Sequence, residues 1–268
     1  MEQQFSTGYW GLRKLKNFPT LRGYLPYFFF KPLFGDRRKF GKVPRLDDPC
    51  YIEWKNIYFS CYQSNKSRPE FHWVNNSGYE NLKEIDLSGK KILEIGPGEL
   101  FHTKYWKGKP LCFYAYDVDE RLLEKSEMLL RENQIPFKKI LGLADLSSFP
   151  LDFFDIIFSF FSLEHIYPLE PFLLMMKRIL KAAGLFVGAI PAEGGLTWGF
   201  GRFLTSRRWL KSHSKINPDK IICWEHPNFA DFILKKLERN FSIQKIEFWP
   251  FGVPLIDLNF TVRFVCRK

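Results

Sequence analysis

The sequence predicts an α/β domain built around a mostly parallel β-sheet. Beyond residue 88, short apolar runs alternate with amphipathic stretches of helical length, a pattern typical of strands joined by right-handed crossovers. The run "FDIIFSFF" (154–161) has almost no polar alternation, as expected for a strand covered on both sheet faces. The segment "PLEPFLLMMKRILKAAG" (168–184) instead places apolar residues at helical spacing, which predicts a helix.

The other elements continue this alternation. Four further strands are predicted at "KKILEI" (90–95), "CFYAYDV" (112–118), "FKKILG" (137–142) and "LFVGAI" (185–190). One helix is expected to start within "ELFHTKYW" (99–106), and two more are expected over 119–133 and 229–241. Gly184 is the expected C-cap of the helix predicted at 168–184. Two alternating runs, "FSIQKIEFW" (241–249) and "NFTVRFVCR" (259–267), predict a terminal hairpin.

Composition divides the chain into three regions. Residues 1–87 form an aromatic and basic N-terminal extension, with one helix expected around 49–63. Residues 88–268 form the α/β domain. Within it, residues 192–225 interrupt the pattern with three Trp, and we expect this insertion to be a substrate lid.

The net charge of +11 is concentrated in two segments. Residues 1–49 carry ten Lys/Arg against four Asp/Glu, and residues 197–220 carry six against one. Such segments suit anionic partners such as phosphates, acidic glycans or lipid headgroups, and residues 1–45 are a candidate for peripheral membrane contact. No nucleic-acid-binding motif accompanies the charge, so nucleic acid is not an expected partner.

Cysteine usage and hydropathy indicate a cytoplasmic protein. The five cysteines form no C-x-x-C pair, and an odd count suits a reduced compartment without structural zinc or another metal. The N-terminus has no apolar signal-peptide core. The run "YLPYFFFKPLF" (24–34) is too short to cross a bilayer, although it could lie at the inner face of a membrane.

A glycine turn follows the first predicted strand. In "LEIGPGELF", Gly96 and Gly98 fit the start of a dinucleotide fingerprint, but Phe101 occupies the position of the third glycine. Glu99 would also place a carboxylate where a pyrophosphate needs the positive end of a helix. The turn therefore predicts close approach to a ligand other than a dinucleotide, which argues against a nicotinamide dehydrogenase.

Three carboxylates are expected around this turn. Asp117 ends the second strand and can accept hydrogen bonds from both hydroxyls of a ribose. Asp145 follows the third strand and can accept a hydrogen bond from an adenine amino group. Glu94 lies on the first strand and can bind an ammonium group. These residues suit a ligand with a nucleoside, an ammonium and a positive centre. S-adenosylmethionine is such a ligand.

Four ordered blocks, "LEIGPGE", "YAYDVDE", "GLADLSSFPLDFFDIIFSFFSLEHI" and "RILKAAGLFVGAIP", resemble class I S-adenosylmethionine-dependent methyltransferases of the ubiquinone/menaquinone methyltransferase-like type. The resemblance covers about residues 88–191. It implies a Rossmann-like seven-stranded sheet with helices on both faces and an antiparallel last strand. Leu100 replaces a frequent third glycine, and "KAAG" (181–184) replaces a proline-glycine turn. The cofactor contacts that it implies are Glu94, Gly96, Gly98, Asp117, Asp145, Leu146 through its backbone, and Phe160.

The acceptor site is expected beyond the carboxyl ends of the strands. His165 and Glu193 follow the fourth and fifth strands, and His226 follows the insertion, so these three are the candidate bases for a hydroxyl acceptor. In the lid, Arg207 and Arg208 could bind an anionic group and Trp198 could stack on a sugar.

The predicted function is methyl transfer to a small or lipid-linked acceptor, with a glycan or polysaccharide hydroxyl favoured. The lid sequence resembles, more loosely, methyltransferases associated with bacterial surface polysaccharides. The alternatives are methylation of a quinone or another small aromatic, and a catalytically inactive binding module that keeps the fold.

Overall fold

The computed structural model describes residues 18–268, and one seven-stranded sheet lies at its centre. The strands run in the order β3-β2-β1-β4-β5-β7-β6. Strands β1 to β5 pair in parallel, whereas β7 is antiparallel to both β5 and β6. The strands are β1 (Lys91–Ile95), β2 (Cys112–Asp117), β3 (Phe137–Leu141), β4 (Phe154–Phe160), β5 (Leu180–Pro191), β6 (Ser242–Trp249) and β7 (Thr261–Arg267).

Eleven α-helices surround the sheet within the described residues. They are α1 (Tyr27–Phe34), α2 (Arg37–Phe40), α3 (Pro49–Lys66), α4 (Pro69–Tyr79), α5 (Glu120–Glu132), α6 (Leu143–Ser147), α7 (Leu169–Ile179), α8 (Leu196–Leu204), α9 (Ser206–His213), α10 (Pro218–Glu225) and α11 (Ala230–Asn240). Short 3₁₀ segments lie in several connections, including Thr103–Tyr105 between β1 and β2 and Ile256–Leu258 between β6 and β7. The predicted Rossmann-like α/β fold, with its antiparallel terminal hairpin, is confirmed.

The central strands are buried on both faces because helices cover each side of the sheet. Phe154, Ile157 and Phe158 of β4 are fully buried, which explains the nearly continuous apolar run in the sequence. On one face α7 and α11 pack through residues such as Leu173 and Leu234. The sheet therefore holds the carboxyl ends of the parallel strands β1, β2 and β4 side by side.

Two predicted boundaries are wrong. The region 99–106 is a turn followed by the 3₁₀ segment rather than an α-helix, because the buried Leu100 adopts a left-handed φ of 53°. Helix α7 ends at Ile179 instead of Gly184, since Leu180 already pairs with Phe154 across the sheet. A strand contact therefore overrides the helical pattern of the sequence.

The N-terminal extension and the lid insertion pack against each other. Helix α1 lies on α8 and α10, and α2 and α3 also contact α10. Trp54 of α3 and Trp224 of α10 belong to one apolar cluster, and the indole of Trp224 donates to the carbonyl of Phe40 at 3.1 Å. Trp209 packs against the same cluster, so two lid tryptophans, Trp209 and Trp224, belong to a core that the lid shares with α3 of the extension. The division at residue 88 stays a prediction.

No helix among residues 18–268 is long and apolar enough to span a bilayer. Residues 1–17, which contain part of the predicted membrane-contact segment, lie outside the described residues.

Candidate active site

A large cavity opens at the carboxyl ends of β1, β2 and β4. Its volume is about 2030 Å³. Pockets for a single small molecule usually measure roughly 300–1,000 Å³, so this one can hold two ligands side by side. Its walls come from the sheet edge, from α3 and α4 of the extension, and from α8 and α10 of the lid.

The glycine turn after β1 forms part of the cavity wall. Gly96 and Gly98 both have positive φ values, 66° and 57°, which residues with a side chain rarely adopt. A Cβ on Gly96 would lie 2.4 Å from the hydroxyl oxygen of Ser162, and that hydroxyl donates to the carbonyl of Ile95 at 2.9 Å. The sequence therefore needs glycine here for both backbone conformation and space.

Glu94 lies at the cavity wall but is held by protein groups. Both of its carboxylate oxygens accept from His102 Nε2, at 2.8 and 3.0 Å. The indole of Trp106 donates to His102 Nδ1 at 2.8 Å, which places the imidazole proton on Nε2. This chain of contacts, which the sequence did not reveal, fixes the orientation of a carboxylate that is only 1% exposed.

Asp117 ends β2 and lines the same cavity. Burial raises the pKa of its carboxyl to about 6, although the backbone N–H groups of Asp119 and Val118 partly offset the effect. The N–H of Asp119 donates to Oδ1 at 2.9 Å. A partly desolvated acceptor at a strand end suits a ligand that brings hydroxyl donors.

Glu99 forms an ion-pair bridge between two helices. It accepts from Lys66 of α3 and, at 2.7 Å, from Lys125 of α5. Both cations hold the pKa of Glu99 below its ordinary value in spite of burial. Glu99 still lines the cavity, but its charge is balanced, and its role is to clamp the glycine turn between the two helices.

The predicted contacts after β3 and β4 divide into two groups. Phe160 is at the cavity wall, whereas Asp145 and Leu146 are not among the lining residues. On the short helix α6, Leu143 and Ser147 lie one turn apart and face the cavity, while Asp145 is exposed and Leu146 is fully buried. The roles of Asp145 and Leu146 in cofactor binding stay predictions.

A histidine pair lies in the part of the cavity beyond β4. The rings of His165 and His226 are 4.6 Å apart, and both residues line the cavity. His165 Nδ1 is 3.8 Å from Glu225, and its Nε2 is 3.8 Å from Glu164. The His165 side chain is 38% exposed toward the cavity, yet desolvation by the protein atoms around it, together with the neighbouring His226, lowers its pKa below the ordinary value. Burial and nearby arginines do the same for His226, so both rings are neutral at pH 7.

Glu193 lies behind this pair and is fully buried. It accepts from Arg202 and, at 3.0 Å, from the indole of Trp198, and it lies 2.9 Å from Nδ1 of His226. Glu193 is not among the cavity-lining residues, whereas Arg202, Trp198 and His226 are. The geometry therefore places Glu193 as a support for those side chains rather than as a group facing the acceptor.

Two more carboxyls, those of Glu164 and Glu225, line this part of the cavity. Glu164 is 2% exposed, and burial raises its pKa to about 8. Glu225 has a pKa raised to about 7 by burial. Glu225 directly precedes His226 in "WEHPNF", which is the one signal that could have indicated it. At neutral pH this region therefore carries less negative charge than its sequence suggests.

The lid arginines lie elsewhere than predicted. Arg207 is buried and donates to Asp219 of α10 at 2.7 Å, which ties α9 to α10. Arg208 is exposed, and neither residue lines the cavity. The inward-facing lid arginine is instead Arg202. A direct contact between Arg207 and a substrate has no support in this geometry, because its guanidinium already has a buried partner.

Two tyrosines of α3 also line the cavity, although the sequence gave no sign of them. The hydroxyl oxygen of Tyr62 would lie 3.6 Å from a Cβ placed on Gly98, so this ring borders the glycine turn. Burial raises the pKa of Tyr58 and Tyr62 above the ordinary value. Within residues 18–268, no group of three or more His, Cys, Asp or Glu side chains is arranged to hold a metal ion.

Residues 93–188 match the model of a family described as a methyltransferase domain. This range contains Glu94, Gly96, Gly98, Asp117 and Phe160, all of which line the cavity. No curated protein matches the sequence.

Solved structures share the fold at low sequence identity. A chain of the complex between the Haloferax volcanii Trm112 methyltransferase activator and a methyltransferase aligns with a TM-score of 0.52 at 13% identity, covering 80% of this chain and 96% of that chain. An Aquifex aeolicus SAM-dependent methyltransferase aligns with a TM-score of 0.50 at 15% identity, covering 78% and 96% of the two chains. At these identities the similarity establishes the fold.

Proposed function

We propose that the chain, which is a class I S-adenosylmethionine-dependent methyltransferase, methylates a hydroxyl of a small or lipid-linked glycan or polysaccharide precursor. The choice of a hydroxyl depends on one observation, the pair of histidines whose rings lie 4.6 Å apart in the part of the cavity beyond β4. A hydroxyl acceptor benefits from a base near the transferred methyl group, and an unprotonated imidazole can act as one.

The residues around the glycine turn fit S-adenosylmethionine. Asp117 offers acceptors for ribose hydroxyls, and the narrow turn at Gly96 and Gly98 lets a ligand approach the backbone. Glu94, held by His102, presents a fixed negative charge for the ammonium group. When bound, the cofactor supplies a methyl group on a sulfonium, which is already a strong electrophile.

The chain's own contribution is to position the acceptor and receive its proton. We assign His165 as the base, since its side chain is 38% exposed and lines the cavity. His165 would receive the proton of the acceptor hydroxyl as the methyl carbon left the sulfonium sulfur, which would become a neutral thioether, and bonded to the acceptor oxygen. Glu193 acts through His226 and Arg202, and we assign it a positioning role.

A second candidate is methylation of a hydroxylated quinone or another small aromatic. The observation that favours it is the aromatic wall, because Tyr51, Trp54, Phe71 and Trp198 all line the cavity. Aromatic rings stack on planar aromatics, but they also cover the apolar faces of sugars, so this wall suits both classes of acceptor.

The test is transfer of a labelled methyl group to three acceptors: a polyprenyl-linked oligosaccharide, the same oligosaccharide without lipid, and a hydroxylated quinone. We expect an oligosaccharide to be methylated, with kcat reduced about 10²–10⁴-fold in His165→Gln. Binding of S-adenosylhomocysteine by that variant should be unchanged. Arg208→Gln is the matched control, since Arg208 is exposed and outside the cavity. Methylation of the quinone alone, or full kcat in His165→Gln, would contradict the proposal.

A further inference from the structure

Exposed apolar side chains form a cluster that the methyl-transfer site does not account for. They come from three segments: the start of the described chain, helix α8 and the connection between β6 and β7. Their exposed fractions range from 40% to 87%. The members of this apolar rim are Leu21, Tyr24, Phe28, Phe29, Phe200, Leu204, Phe251, Val253, Leu255 and Leu258.

Asp257 joins the three segments into one surface. Its carboxylate accepts from the N–H of Leu21 at 2.6 Å and from the N–H of Leu196 at 3.0 Å. Its carbonyl accepts from the hydroxyl of Thr197 at 2.6 Å. Helix α1 packs closely on α8, since a Cβ on Gly199 would lie 2.7 Å from the ring of Phe34. The three segments that carry the rim are therefore joined to one another rather than being three independent loops.

An apolar groove of about 600 Å³ opens beside the rim. It lies between α1 and α8 and is lined by Leu33, Phe200 and Leu204, among others. Gly201 and Phe260 line both this groove and the main cavity. The groove therefore lies beside the main cavity and shares part of its wall.

Exposed cations follow both helices that carry the rim. Helix α1 leads directly into α2, where Arg38 and Lys39 are exposed, and Lys42 follows. Helix α8 leads into α9, where Arg208 and Lys211 are exposed. Residues 197–213 contain no Asp or Glu. Each of the two helices that carry the rim is therefore followed along the chain by exposed cations.

We propose that the apolar rim docks on a lipid bilayer that contains anionic headgroups. Exposed aromatic and aliphatic side chains, together with nearby Lys and Arg, are the combination that binds proteins to the membrane interface. A large exposed apolar patch on a soluble domain also calls for a partner. The docking surface is independent of the acceptor. The groove could also hold the lipid chain of a lipid-linked acceptor, and that role alone depends on the proposed function.

The experiment is co-sedimentation of the full chain with phosphatidylcholine vesicles that contain or lack phosphatidylglycerol. We expect binding to the anionic vesicles only. Phe28→Ser combined with Phe200→Ser should abolish it, and Lys39→Gln combined with Lys42→Gln should weaken it by roughly fivefold per cation. The control for the rim variant is Leu111→Ser combined with Leu151→Ser, and the control for the lysine variant is Lys109→Gln. These exposed residues precede β2 and β4, at the amino ends of the strands and away from the rim.

The outcomes separate docking from catalysis because no acceptor is used. Thermal melts and S-adenosylhomocysteine titrations of each variant show whether the fold and the cofactor site are intact. Vesicle binding that is lost in the rim variant and kept in the controls supports the proposal. A wild-type chain that stays in the supernatant with anionic vesicles overturns it, and a dimer that dissociates in the Phe28→Ser, Phe200→Ser variant would identify a second copy as the occupant instead. Equal binding by the rim variant and the wild type overturns it as well.

Discussion

Burial changes the charge state of the individual residues that form the site. The pKa of Asp117 is raised to about 6, that of Glu225 to about 7 and that of Glu164 to about 8, in each case because the carboxyl is desolvated. Desolvation likewise lowers the pKa of His165. The sequence could identify several of these residues, but their protonation depends on depth and neighbours that only the fold provides.

The raised pKa of Asp117 predicts a pH-dependent cofactor affinity. Only the ionised carboxylate can accept from both ribose hydroxyls, so affinity for S-adenosylhomocysteine should rise with pH through about 6. The folded state also holds this proton more tightly than the unfolded chain does. The contribution of this carboxyl to the free energy of unfolding therefore decreases as the pH rises from 3.8 to about 6. Calorimetric titration across this range should show the transition in the wild type but not in Asp117→Asn. A pH-independent wild-type affinity would refute the assignment.

Gly96 gives a second prediction at the residue scale. Gly96→Ala should cost about 1–2 kcal/mol of unfolding free energy for its left-handed backbone, and should also weaken cofactor binding, because the new Cβ would displace the Ser162 hydroxyl. Gly89→Ala is the control, since Gly89 has a φ of 68° but open space around it. Denaturant melts and S-adenosylhomocysteine titrations distinguish the two effects. Equal cofactor affinity in both variants would show that the turn tolerates a side chain.

At the level of elements, ion pairs fix the lid helices. The Arg207–Asp219 pair joins α9 to α10. Arg207→Ala removes the hydrogen-bonded partner of a buried carboxylate and leaves it only Lys31, at 3.7 Å, so it should lower the free energy of unfolding by about 3 kcal/mol. Arg208→Ala should change it by less than about 0.5 kcal/mol, because that side chain is exposed. Chemical denaturation measures both. Normal stability with a raised acceptor KM in Arg207→Ala would restore the predicted substrate contact.

Element types were predictable from the sequence where periodicity was strong. All seven strands, including the terminal hairpin, lie where alternating or continuous apolar runs indicated. The failures at 99–106 and at the end of α7 share a cause. In both places a non-local contact, burial of Leu100 or pairing of Leu180 with Phe154, decides the backbone conformation.

The positions of the residues proposed to bind the cofactor were more predictable than those of the residues in the proposed acceptor region. Glu94, Gly96, Gly98 and Asp117 are close in sequence to strand ends, and parallel strands bring those ends together. The acceptor region depends on how the extension and the lid fold over the sheet. The proximity of His165 to Glu225, and of Glu193 to Arg202, therefore could not be predicted from the positions of these residues along the sequence.

On the scale of the whole molecule, the extension and the lid form one body above the sheet. Phe34 of α1 is fully buried against α8, whereas Phe29 on the same helix is 54% exposed. Phe34→Ala should lower the free energy of unfolding by about 3–5 kcal/mol, and Phe29→Ala should have little effect. Thermal melts compare them. If both variants melt like the wild type, the extension does not contribute to the stability of the core.

The most direct test of the central claim is calorimetric titration of the purified chain with S-adenosylhomocysteine, in the wild type and in Asp117→Asn. The account predicts one binding site per chain in the wild type and a greatly weakened one in the variant, with the fold unchanged. Asp117→Asn should be at least as stable as the wild type at neutral pH, since a buried charge is removed. Absence of binding in the wild type, or equal binding by the two chains, would contradict the assignment of this cavity as the cofactor site.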